Sequence, residues 1–112
     1  MTPVEQRRTE RIATTLAILV TRDGVEHRGS TINLSLGGAL VRVQLTPPPH
    51  VGQRVRVALT VPTHAAPLVA DAEVRWIGPL GEYGLQFVTG FRARETWALG
   101  QWLERVRKGG QG

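Results

Sequence analysis

Six short strand-like segments, separated by turn-forming residues, constrain the fold of this chain more than any other feature of its sequence. Residues 54–61 alternate between an aliphatic side chain and a polar or small one, which is the two-residue period of a half-buried strand. The full set of segments comprises residues 12–22, 25–32, 38–44, 54–61, 68–76 and 83–88. Six strands at this spacing predict an all-β fold, an antiparallel β-barrel that closes to remove its unpaired edges.

The alternation also predicts which side chains point into the barrel. In the fifth segment, Trp76 lies two residues after Val74 and is therefore predicted to share its inward-facing side of the strand. In the sixth segment, Tyr83, Leu85 and Phe87 form the inward face. We therefore expect most of the aromatic side chains to be committed to the core or to the helix that follows.

An amphipathic helix is predicted after the last strand, over about residues 91–108, because the apolar period changes from two to that of a helix. The stripe that would face the barrel consists of Leu99, Trp102, Leu103 and Val106. Two glycines, at positions 109 and 110, end the helix. We expect it to pack on the barrel as a lid and to leave Trp97 exposed, where a partner protein could contact it.

The length of 112 residues fits one domain with three parts. Residues 1–11 are polar and charged and lack apolar periodicity, which predicts a flexible basic N-terminal arm. Residues 12–108 form the barrel and its C-terminal helix, and residues 109–112 are expected to be a disordered tail. Arg7, Arg8 and Arg11 carry the charge of the arm.

A hairpin is predicted to bring this arm beside a second polar stretch. Asp23-Gly24 is a strong hairpin signal, and folding the chain about it places Asn33 opposite Thr14 and Ser35 opposite Ile12, to within one or two residues. Residues 33–38, which we call the polar corner, combine Asn and Ser side chains with two glycines and read as a tight turn. The basic arm should therefore leave the sheet next to the polar corner.

Composition bounds the class of function. The chain has a formal net charge of +5 and no cysteine, which excludes a disulfide framework and a thiolate metal site. Thirteen of its fourteen cationic residues are Arg, a preference that suits phosphate and guanine recognition but that GC-rich codon usage would also produce. No segment resembles a secretion signal or a transmembrane span, so we expect a cytoplasmic protein.

Catalysis is not expected. His27, His50 and His64 lie in three separate segments without the spacing of a metal site, and no nucleophile motif or phosphate-binding loop is present. Asp71 and Glu73 share one strand face but lie close to an arginine, which favours a surface charge cluster over an acid–base pair. We expect neither a metal nor a cofactor.

Binding is better supported. The predicted neighbourhood gathers two or three Arg, one Asn, one Ser and exposed glycine backbone, and these groups suit an anionic ligand that carries guanine. Arginine can bond guanine O6 and N7, or phosphate oxygens, through two parallel hydrogen bonds. The amide and hydroxyl groups can then satisfy the remaining polar edges of a base.

These residues resemble a known family signature. Arg7-x-x-x-Arg11, followed some twenty residues later by Asn33-x-Ser35-x-x-Gly38, is similar to the paired motifs of PilZ domains, bacterial receptors for the second messenger cyclic di-GMP. The resemblance implies a six-stranded β-barrel without catalytic activity. It also implies that the Arg pair grips a phosphate and a guanine, while Asn33, Ser35 and Gly38 line the other guanine.

The resemblance extends over nearly the whole chain. The stretch Gly84-Leu85-Gln86-Phe87 resembles the closing-strand motif of the family, and the predicted helix lies where the family has one. Arg8 falls at a variable position of the first motif. Asn33 is one of two residue types that the family allows at its position, and its neutral amide is a weaker acceptor for guanine N–H groups than the alternative Asp.

Three functional hypotheses follow, beside the alternative of a purely structural domain that binds nothing. In the first, cyclic di-GMP binding orders the N-terminal arm and presents a new surface to an effector protein. In the second, the same fold acts without a ligand as an adaptor in motility or pilus assembly. In the third, a small basic barrel binds RNA or single-stranded DNA, although such a function requires stacking aromatic side chains on an exposed sheet face.

Overall fold

The computed structural model describes residues 11–88 and 91–109. Its elements are β1 (Ile12–Ala13), β2 (Ala17–Arg22), β3 (Val25–Leu34), β4 (Gly38–Val43), β5 (Arg54–Leu59), β6 (Leu68–Ile77), β7 (Glu82–Phe87) and the helix α1 (Ala93–Arg107). Strands β2–β7 are antiparallel neighbours in the order β3-β2-β5-β6-β7-β4, and β4 pairs back with β3 to close the barrel. The predicted six-stranded barrel with a C-terminal helix is therefore confirmed.

The barrel interior is filled by the inward members of each alternating strand. In β5, Val57 and Leu59 are fully buried and Val55 is 5% exposed, as the period of two predicts. Helix α1 covers the barrel with Leu99, which is fully buried, and with Trp102 and Leu103. The helix contributes to the same hydrophobic cluster as the strands, so barrel and helix form one core.

The predicted hairpin joins β2 to β3. Arg22 pairs with Val25, which leaves Asp23 and Gly24 as the two connecting residues. Both have positive φ, at 53° and 78°, as a two-residue turn requires if it is to match the right-handed twist of its strands. The hairpin therefore has the geometry that carries the chain from the arm to the polar corner.

The predicted first strand is divided into β1 and β2, and this division shifts the pairing near the polar corner by one residue. Asn33 lies opposite Ala13 and not opposite Thr14 as predicted. The predicted pairing of Ser35 with Ile12 is displaced in the same way, because Ile12 pairs with the residue before Ser35. A shift of one residue lies within the approximate register that was predicted, and Arg11 still lies beside the polar corner.

Two buried threonines account for this irregularity. The hydroxyl groups of Thr14 and Thr31 are hydrogen-bonded at 2.7 Å, and the backbone N–H of Leu16 donates to the Thr31 hydroxyl at 2.9 Å. A side chain thus satisfies a backbone donor that an ordinary ladder would have paired with a carbonyl. The extra residue that this arrangement accommodates lies between the end of β1 and the start of β2.

A second irregularity in β6 corrects the prediction for Trp76. Val74 pairs with Leu85 and Trp76 pairs with Gly84, so Arg75 is an additional residue in β6. Such a bulge reverses the side on which the following residues point. Trp76 is consequently 48% exposed and does not face the core, contrary to the strict alternation.

Parts of the predicted domain organisation lie outside the described residues. These are residues 1–10 of the N-terminal arm, which include Arg7 and Arg8, and residues 110–112 of the C-terminal tail. Within the part of the chain that the structure describes, no helix has the length and hydropathy needed to cross a bilayer.

Candidate ligand-binding site

The polar corner is a tight turn held together by Ser35. Its backbone N–H donates to the carbonyl oxygen of Gly38 at 2.9 Å, which closes the turn. Its hydroxyl accepts a hydrogen bond from the Gly37 N–H at 3.2 Å and lies 3.4 Å from the Gly38 carbonyl oxygen. Ser35 is only 4% exposed, so its hydroxyl shapes the turn from within.

Arg11 connects the end of the basic arm to this corner. Its Nη1 donates a hydrogen bond to Oδ1 of Asn33 at 3.0 Å, in an exposed position. These residues are separated by 22 positions in the sequence, and the pairing of β1 with the end of β3 brings them together. The structure therefore places one of the three predicted arginines at the polar corner, while Arg7 and Arg8 lie outside the described residues.

A glycine is required at position 38 because the backbone of β7 passes too close to leave room for a side chain. Gly38 pairs with Gln86 across the β4–β7 ladder, and a Cβ built on it would lie 2.2 Å from the carbonyl oxygen of Leu85. That oxygen belongs to backbone in the middle of a strand and cannot move aside without disturbing the barrel. The glycine therefore lets the strand that follows the polar corner close against β7.

A surface cavity of about 400 Å³ lies beside the polar corner. It is lined by Arg11, Ser35, Gly37, Gly38, Arg75, Trp76, Gly84, Leu85 and Gln86. Three of the predicted site residues, Arg11, Ser35 and Gly38, belong to this lining. Asn33 does not line the cavity and reaches it only through its hydrogen bond with Arg11.

Among the lining residues that sequence analysis did not predict for the site, Arg75 and Trp76 have the side chains best suited to a nucleotide ligand. Arg75 lies on the outer face of β6 with Asp71 and Glu73, as the alternation predicts, and the bulge turns Trp76 outward as well, which no periodicity could show. Two glycines accommodate the indole ring: a Cβ on Gly78 would lie 2.1 Å from Cη2 of Trp76, and one on Gly84 would lie 3.1 Å from its Cβ. The signal available in the sequence was Gly78, two residues after Trp76.

The chemistry of the cavity favours an anionic, planar ligand. Two guanidinium groups, from Arg11 and Arg75, line it together with an exposed indole face. The guanidinium groups supply forked N–H donors for phosphate or guanine, and the indole offers an apolar surface on which a base can stack. Among residues 11–88 and 91–109, no group of three or more His, Asp or Glu residues is placed to hold a metal ion.

A second cavity lies between the polar corner and helix α1. It has a volume of about 270 Å³ and is lined on one side by Ile12 and Leu36, and on the other by residues 100–107 of the helix. Ile12 directly follows Arg11, and Leu36 is part of the polar corner. Neighbours in sequence of the site residues Arg11 and Ser35 therefore line the space beside the helix.

Comparison with known proteins identifies the family. The PilZ domain model matches residues 5–105, and a chain matched over this share of its length belongs to the PilZ family. No curated protein sequence gives a significant match.

Two solved structures share the fold. The PilZ domain of CeSA from a cellulose-synthesizing bacterium is 17% identical, with a TM-score of 0.68 over 88% of this chain and 99% of that one. The Bacillus subtilis inhibitor of motility, MotI/DgrA, is 22% identical, with a TM-score of 0.75 over 99% of this chain. This chain corresponds to 58% of the length of MotI/DgrA.

The close approach at Gly38 predicts opposite effects for two glycine substitutions. Gly38→Ala should lower the free energy of unfolding by about 1–3 kcal/mol, because its methyl group would overlap the Leu85 carbonyl. Gly100→Ala is the matched control: it lies within helix α1 with open space around the added Cβ, and should raise stability by about 0.5–1 kcal/mol. Urea denaturation measures both. Equal effects of the two substitutions would contradict the proposed strand contact.

Proposed function

We propose that this protein is a cytoplasmic, non-catalytic receptor for cyclic di-GMP. The observation that carries the proposal is the hydrogen bond between Arg11 and Asn33, which unites the two motif-bearing segments beside a cavity lined by cationic and aromatic side chains. Membership of the PilZ family supports the same ligand class. The proposed ligand-binding residues are Arg7, Arg8, Arg11, Asn33, Ser35 and Gly38, to which we add Arg75 and Trp76.

Within this proposal the arginines bind the phosphates and a guanine edge. Arg11 presents its guanidinium from the mouth of the cavity, and the hydrogen bond to Asn33 holds it there. Asn33 contributes the amide that meets guanine N–H groups once Arg11 turns toward the ligand. Ser35 and Gly38 act mainly by shaping the turn, because the Ser35 hydroxyl is buried and already hydrogen-bonded.

Trp76 supplies the stacking surface. Its ring lies over Gly78, and its exposed fraction of 48% leaves a face of the indole accessible from the cavity. A guanine base lying on this face would bring its phosphodiester near Arg75, the preceding residue of the bulge. We therefore assign base stacking to Trp76.

Signal output is proposed to proceed through the N-terminal arm. Ligand binding draws the arm across the polar corner through its arginines and presents a new surface to an effector protein. The placement of Ile12 and Leu36 supports this route, because Ile12 directly follows Arg11 and both residues line a cavity together with helix α1. The likeness to an inhibitor of motility suggests a motility protein as one class of effector.

Calorimetric titration with cyclic di-GMP, with cyclic di-AMP as the specificity control, tests the central proposal. Arg11→Ala should weaken binding by about 1.5–3 kcal/mol, because it removes a charge-assisted contact. Arg28→Ala, which changes an exposed arginine on β3 outside the cavity, should leave the affinity unchanged. Absence of binding by the unaltered protein would favour the ligand-free adaptor. Binding of random oligonucleotides with a steeper salt dependence would favour a nucleic-acid function.

The stacking role of Trp76 has its own test. Trp76→Ala should weaken cyclic di-GMP binding by about 1–3 kcal/mol, the usual contribution of a stacked base. Trp97→Ala provides the control, because Trp97 is 68% exposed on helix α1 and does not line the cavity. If both substitutions left the dissociation constant unchanged, the base would not stack on Trp76.

Ordering of the arm is measured by NMR. Backbone order parameters or amide exchange rates for residues 4–12, recorded with and without cyclic di-GMP, should show increased order in the complex. Ser30, in the middle of β3, is expected to show no comparable change and serves as an internal reference. Arm residues with the same mobility in both states would contradict the proposed relay while leaving ligand binding intact.

A further inference from the structure

Glu73 forms ion pairs with two arginines on the outer face of β6. Its Oε2 lies 2.9 Å from Nη1 of Arg75, and its Oε1 lies 3.8 Å from Nε of Arg54. Arg54 is directly opposite Glu73 on β5, whereas Arg75 lies two residues further along the same strand. One carboxylate is therefore shared between two guanidinium groups.

Arg75 is the member of this cluster that belongs to the candidate site. It is the inserted residue of the β6 bulge and lines the cavity together with Arg11 and Trp76. Arg54 does not line that cavity. Glu73 itself does not line the cavity. Its carboxylate pairs with Arg75, the cation that would face an anionic ligand there.

We propose that Glu73 sets the affinity of the cavity for its anionic ligand by competing with the ligand phosphate for Arg75. Glu73 neutralises Arg75 in the unliganded protein, so phosphate must displace or share this counter-ion. When Arg75 turns to phosphate, Glu73 retains Arg54 as its partner. This inference rests on the proposed cyclic di-GMP function and adds to it a residue that lowers affinity.

The solvent exposure of Glu73 and Arg75 limits how much their ion pair can change ligand affinity. The Glu73 side chain is 23% exposed and that of Arg75 is 59% exposed, so water screens the pair on the arginine side. Exposed ion pairs of this kind change an equilibrium by up to about fivefold. The competition therefore tunes the affinity and does not act as an on–off switch.

Glu73→Gln tests the proposal because it keeps the shape and removes the charge. We expect the substitution to tighten cyclic di-GMP binding by about two- to fivefold in calorimetry. Asp71→Asn is the matched control: Asp71 shares the outer face of β6 and pairs with Arg56, which does not line the cavity. It makes the same change in net charge and should alter the affinity less than Glu73→Gln.

A double-mutant cycle separates the effect of the Glu73–Arg75 ion pair from the general electrostatic effect of removing one negative charge. In an Arg75→Gln background, Glu73→Gln should lose most of its effect, because the cation that it releases is no longer present. An equal gain in both backgrounds would overturn the proposal, as would unchanged or weaker binding by Glu73→Gln in the otherwise unaltered protein.

A smaller anion keeps this test independent of the proposed function. If the unaltered protein does not bind cyclic di-GMP, the proposed function fails, and the same four variants are titrated with inorganic pyrophosphate. Binding is then followed by calorimetry in every variant, and also by the Arg75 Nε–H resonance in the variants that retain Arg75. Tighter pyrophosphate binding by Glu73→Gln would still support competition for Arg75, and equal binding would overturn it.

Discussion

Closure of the barrel through β4 is the constraint on which the rest of the structure depends. This strand lies between β3 and β7, so each of the strands β2–β7 has a hydrogen-bonded neighbour on both sides. Closure brings the polar corner, which precedes β4, against the end of β7. It requires Gly38, because the carbonyl of Leu85 occupies the space that a side chain would fill.

Irregularities of the ladder surround the candidate site. One lies between β1 and β2, a second interrupts the β3–β4 pairing near Ile32, and the third is Arg75 in β6. A bulge bends a strand and redirects the side chains that follow, which is why bulges are frequent beside binding sites. Here they bring Arg11 to Asn33 and turn Trp76 outward. Strands without these irregularities would still pair, but they would not bring these side chains to the cavity.

The residues of the candidate site fall into two groups, one that fixes its shape and one that is available to contact a ligand. Buried groups such as Ser35 and Gly38 fix the turn and the approach of two strands, whereas Arg11, Arg75 and Trp76 present their chemistry to solvent. A fold shared with proteins only 17% and 22% identical shows that the barrel tolerates extensive substitution. Under the proposed function, ligand affinity depends on the second group and on the charges around it, so it can vary while the fold persists.

The sequence by itself determined the barrel, its helix, the hairpin at Asp23-Gly24 and the position of Arg11 beside the polar corner, because alternation and turn chemistry are local properties. Only the tertiary structure decided the exact register opposite Asn33 and the outward direction of Trp76. The reason is that a bulge arises from the balance of pairing across neighbouring strands, which a periodic pattern within one strand does not record. The ion pairs of Glu73 likewise required strands β5 and β6 to lie side by side.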